Sequence, residues 1–166
     1  MKAFSTVLFS ILLFLSYGQA ETGNPLFNAL GQTTTEKEFK DLAGMKCFVV
    51  SRIKVASKTS DISFSLNRET QVLESIELNS DFLKREPSLT NPVLGITSGM
   101  VYKEVYQLIK NRNGVSKLSV FNEDARYFSF YYQTNSEAKT LFFNVFFKTD
   151  EADNLLVDRI LFSLAN

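Results

Sequence analysis

The amino-acid sequence predicts an α+β fold: two related halves, each a helix followed by an antiparallel meander, packed as one globule. Three observations carry this expectation. Hydrophobic residues make up 45% of the 166, enough for one packed core and too many for a disordered chain. The apolar period switches from 3.6 to 2 twice along the chain, each time from a helical pattern to alternating strands. And Asn24-Pro25-Leu26 recurs as Asn91-Pro92-Val93, with Phe39 matched by Tyr106 and Leu42 by Ile109 at the same offset.

Met1 to Ala20 reads as an address. Lys2 precedes an apolar stretch (Val7 to Leu15) that ends in Tyr17-Gly18-Gln19-Ala20, with small residues at the −3 and −1 positions, as in a cleaved secretory signal. Ser5, Thr6, Ser10 and Ser16 interrupt the run, which is shorter than the ~20 apolar residues of a spanning helix. The expected compartment is therefore secreted or periplasmic, without stable membrane insertion after cleavage. Residues 21–86 form the first half-repeat and 87–166 the second, with the boundary at Glu86-Pro87-Ser88.

In the first half, Thr35-Glu36-Lys37-Glu38 reads as a capping box opening a helix to Ala43, with Gly44 as its stop. Strands follow at Cys47 to Val55, Ile62 to Leu66 and Val72 to Leu78. In the second half, Val101, Val105, Leu108 and Ile109 line one face of a helix from Gly99 to Arg112, with Ser98 as cap and Asn113-Gly114 as stop. Strands are expected at Leu118 to Phe121, Arg126 to Gln133, Leu141 to Val145 and Leu156 to Phe162. Ile62, Phe64 and Leu66 then correspond to Leu141, Phe143 and Val145, while Leu73, Ile76 and Leu78 correspond to Val157, Ile160 and Phe162.

The Gly99-Met100 turn opening a helix, then Tyr102-Lys103-Glu104-Val105, then a meander, resembles the tandem α/β repeat of the β-lactamase inhibitory protein family. It is also similar to the small outer-membrane assembly lipoprotein domains. The first half lacks the Gly-Met pair, and the inhibitors' paired cysteines are absent. The resemblance implies protein binding without catalysis.

Composition narrows the chemistry. The chain has no His and one Cys, which removes imidazole bases, internal disulfides and Cys/His zinc sites. Its formal charge is zero, which supplies no electrostatic case for nucleic acid. No phosphate-cradling glycine loop or Gly-x-Ser-x-Gly elbow occurs. Glu74 and Glu77 fall on opposite faces of a strand by alternation; Glu123-Asp124 and Asp150-Glu151-Ala152-Asp153 fall in hairpin turns. Converging carboxylates, a metal and a cofactor are accordingly not expected, and the chain is read as a non-enzyme. Cys47, in an apolar run, reads as a free, buried thiol.

The aromatic residues carry the functional expectation. Between Arg126 and Gln133, Phe128, Phe130 and Tyr132 share one face; from Leu141 onward, so do Leu141, Phe143, Val145 and Phe147. These are core. The opposite face carries Tyr127, Tyr131, Phe142 and Phe146, with Lys148 at its rim. Burying one such ring is worth roughly 1.5–3 kcal/mol, so a solvated face this aromatic calls for a cover. Two covers are open: this protein itself, through a helix or the other half, or another protein, captured in the manner of an inhibitor or immunity factor; the second carries the functional expectation. The competing expectation is a carrier of a small apolar ligand, with the Phe-rich sheet wrapped around a cavity.

Overall fold

The computed structural model describes residues 24–33, 47–51, 54–57, 61–85, 93–134 and 139–165. The expected leader Met1–Ala20, the helix expected from Thr35 to Ala43 and the expected boundary at Glu86-Pro87-Ser88 lie outside them, as does the side chain of Cys47.

Helix α1 (Pro25–Ala29) begins where Asn24 accepts a hydrogen bond from the Leu26 amide through Oδ1 at 2.9 Å, with Pro25 at the first helical position. Four strands follow: β1 (Cys47–Ser51), β2 (Lys54–Ser57), β3 (Ile62–Leu66) and β4 (Leu73–Asn79). Asn79 Oδ1 accepts from the Asp81 and Phe82 amides at 3.0 and 3.1 Å and so starts α2 (Ser80–Arg85), which buries Phe82 and Leu83. Then come α3 (Tyr102–Lys110), β5 (Val115–Ser116), β6 (Tyr127–Gln133), β7 (Thr140–Thr149) and β8 (Leu155–Leu164).

All eight strands lie in one antiparallel sheet, in the order β1-β2-β3-β4-β8-β7-β6-β5. Each group of four is a meander, and the two meet along their last strands, β4 and β8. Sheet dominates and helices are few. One face of the sheet carries Phe64, Ile76, Phe130, Phe143, Ile160 and Phe162 into a continuous core, which Phe27, Phe82, Val93, Ile96, Val105 and Ile109 close from the helical side. Phe143 stacks between Phe130 (5.0 Å, 2° between planes) and Phe162 (5.2 Å, 18°). Tyr102 packs into a cluster with Phe121 at 4.4 Å and Phe147 at 5.6 Å, docking α3 onto the sheet.

Register repeats across the sheet. Between β3 and β4 the pairing passes from Ser65↔Ser75 to Leu66↔Leu73, leaving Glu74 unpaired; between β7 and β8 it passes from Phe146↔Arg159 to Phe147↔Val157, leaving Asp158 unpaired. Two isolated bridges, Thr33↔Val72 and Val101↔Leu156, stand at matching places beside these slips. Each lies two residues after a glycine in the left-handed region, Gly31 (φ 80°) and Gly99 (φ 83°). Matched on the slips, Ile62, Phe64 and Leu66 correspond to Phe143, Val145 and Phe147, two residues on from the expected set; the match of Leu73, Ile76 and Leu78 to Val157, Ile160 and Phe162 keeps its expected register.

Other boundaries differ for local reasons. Cys47 to Val55 is a hairpin of two strands, because Ser51 pairs back with Lys54. Leu118 to Phe121 is not a strand: Lys117 turns the chain at φ 49°, and only Ser119 then reaches β6, donating its amide to the Ser129 carbonyl at 2.8 Å. The cap of α3 is not Ser98. The helix begins after Val101, whose amide donates to Glu104 Oε2 at 3.2 Å, half of a capping box.

Candidate functional site

The site is built from the outer face of β6, β7 and β8. Alternation along β6 and β7 turns Phe128, Phe130, Tyr132, Leu141, Phe143, Val145 and Phe147 into the core and leaves Tyr127, Tyr131, Phe142 and Phe146 half-buried on the other side. Register sorts these outer residues into rows across the strands. Tyr127, Phe146 and Arg159 form one row, Ser116, Tyr131, Phe142, Ser163 and Ser75 another, and Ser129, Asn144, Leu161 and Glu77 lie between them. The face is thus two aromatic ridges separated by a row without aromatic rings. Two strand steps each way put the ridges ~13 Å apart.

Within each ridge the rings touch. Tyr127 lies 5.3 Å from Phe146 and Tyr131 5.1 Å from Phe142, both tilted. Each ridge also carries a cation: the Arg159 guanidinium sits 4.3 Å from the Phe146 ring centre, and the Lys117 ammonium 4.9 Å from that of Tyr131. Arg159 is further held by Glu77 at 3.5 Å. Neither cation is evident from the sequence, since each meets its ring only through strand register. Lys148 lies exposed at the rim, and its ammonium is 3.4 Å from Asp158.

The carboxylates sort differently from strict alternation. The slip at Glu74 turns it toward the outer side, where Asn67 Nδ2 donates to its Oε1 at 2.8 Å. Glu74 and Ser75 there border an open groove of about 590 Å³, whose other walls include Phe142, Asn144, Leu161 and Ser163. Glu123 and Asp124 lie exposed in a turn, as expected. Asp150 shapes its own turn, accepting from the Ala152 and Asn154 amides at 2.9 and 2.8 Å. These bonds, chiefly those from Asn154, hold the carboxyl below its ordinary range. Burial, then the neighbouring Tyr106, pushes the Tyr102 phenol up.

Among the described residues no group of three or more acidic, Cys or His side chains converges as a metal site, and no helix is long and apolar enough to cross a membrane. In comparison with known proteins, no family model, curated sequence or solved structure matches the chain.

Proposed function

We propose that the chain is a secreted, non-enzymatic protein-binding module of inhibitor or immunity type, which captures its partner on the ridged outer face of β6, β7 and β8. One observation carries this reading: Tyr127, Tyr131, Phe142 and Phe146 stand paired and half-exposed on a sheet whose other face already holds a complete core. Flat rings with cations over their faces lose little conformational freedom on docking, and such residues concentrate binding energy at protein interfaces. The Met1–Ala20 leader supports the extracytoplasmic compartment. The groove beside Phe142 includes a carboxylate and hydroxyls in its lining, which favours a protein surface over a purely apolar cargo.

The proposal includes an origin: duplication of one helix-plus-meander unit. Its supports are the recurring slips at Glu74 and Asp158, the matching bridges of Val72 and Leu156, and the left-handed Gly31 and Gly99. The likeness to inhibitor-type tandem repeats extends this reading, with Gly31-Gln32 standing where the second unit has Gly99-Met100.

The test is the double variant Tyr127→Ser/Phe146→Ser, compared with the parent in capture from an extracytoplasmic extract. Losing two half-buried rings and their mutual contact costs the free protein about 2–4.5 kcal/mol, so Tm should fall by no more than about 18 °C while the captured species disappears. Unchanged capture overturns the reading. So does a larger collapse of Tm, which would mean that these rings are core.

A further inference from the structure

The slip beside the Phe142 groove differs from the slip in the second meander in one respect. At the second slip, Asp158 already holds a cation, the Lys148 ammonium at 3.4 Å. At the first slip, the place equivalent to Lys148 belongs to Asn67: each residue is the next after the last core residue of its strand, Leu66 or Phe147, and lies opposite Val72 or Leu156. Asn67 is neutral. It holds Glu74 by a hydrogen bond at 2.8 Å, and among the described residues no cation pairs with that charge. That carboxylate borders a groove with an aromatic wall (Phe142), an aliphatic wall (Leu161) and three further polar groups, Ser75, Asn144 and Ser163.

We infer that this groove receives an arginine side chain of the partner, its stem against Leu161, its guanidinium plane on Phe142 and its charge on Glu74. Charge complementarity selects the occupant, because Glu74 is the charged group in the lining and it is anionic. The planar fork of a guanidinium matches a ring on one side and several oxygen acceptors on the other, whereas a neutral apolar group would leave the carboxylate unanswered. The second meander supplies the internal precedent, a slip carboxylate answered by a basic side chain. This inference rests on the protein-binding reading and names what the partner presents.

Nα-acetyl-arginine methylamide, with its uncharged citrulline analogue as control, is the probe to titrate into the 15N-labelled protein. The arginine compound should shift the amides of Glu74, Ser75, Phe142, Asn144 and Ser163 saturably, less so as salt rises, and the citrulline compound should not. Glu74→Gln should weaken binding about 1.5-fold to fivefold, the range of an exposed ion pair. Asn67→Lys, which installs the cation within the chain, should weaken it at least as much. Equal shifts from citrulline, no shifts in the groove, or arginine binding left unchanged by both substitutions would each overturn the inference. Tyr127 and Phe146 lie outside the groove. Normal arginine titration with unchanged capture by their double variant sinks the interface alone, and the reverse result sinks the arginine site alone.

Discussion

A single carboxylate can set a turn. Asp150 accepts from Ala152 and Asn154 backbone amides and from Asn154 Nδ2 at 3.2 Å, and all of these bonds favour its charged form. Its folded pKa therefore lies below the unfolded value of about 3.9. The sign follows: the bonds stabilise the turn at any pH above the unfolded value, and that contribution is lost as pH falls through the folded one. NMR titration of the Asp150 carboxyl should give a midpoint below the ordinary aspartate value, and Asp150→Asn should remove this acid-side dependence. A midpoint at or above the ordinary value would mean the bonds do not persist in solution. That these acids sit in a hairpin turn is legible in Asp150-Glu151-Ala152-Asp153-Asn154. That one of them organises the loop is not, because the bonds depend on backbone angles such as the left-handed Asp153 (φ 60°).

At the scale of an element, the informative contrast is between neighbours. Phe143 is fully buried between Phe130 and Phe162, while Phe142, one step along β7, faces outward beside Tyr131. Phe143→Ala should cost about 3–5 kcal/mol by opening a cavity, and Phe142→Ala about 1–3 kcal/mol, both read from urea denaturation. Equal losses would mean that both faces of β7 are covered. This division was legible in the sequence, since period-2 alternation fixes which residues share a face. Register was not. The slips at Glu74 and Asp158 leave no mark on composition, yet they shift the match between β3 and β7 by two residues and turn Glu74 to the outer side. Helices α1 and α2, of five and six residues, are too short to show a helical period and start from side-chain caps on Asn24 and Asn79.

For the whole molecule, the sheet order and the shared core decide cooperativity. β4 and β8 pair over Ser75↔Ser163 to Asn79↔Arg159, and core residues of both meanders belong to one continuous cluster. Neither meander can expose its side of that cluster without unpairing the other. Calorimetry should therefore show one unfolding transition whose van't Hoff and calorimetric enthalpies agree; two resolved transitions would contradict the shared core. The sequence announced antiparallel strands through its period-2 stretches. It could not announce that the meanders join last strand to last strand, because pairing partners depend on contacts far apart in the chain.

That last-strand joint has a consequence for connectivity. The covalent path between residues 85 and 93 supplies none of the ladder bonds from β4 to β8. The joint is closed by hydrogen bonds between strands distant in the chain. Outer-face residues on either side of it can change while the joint itself stays fixed.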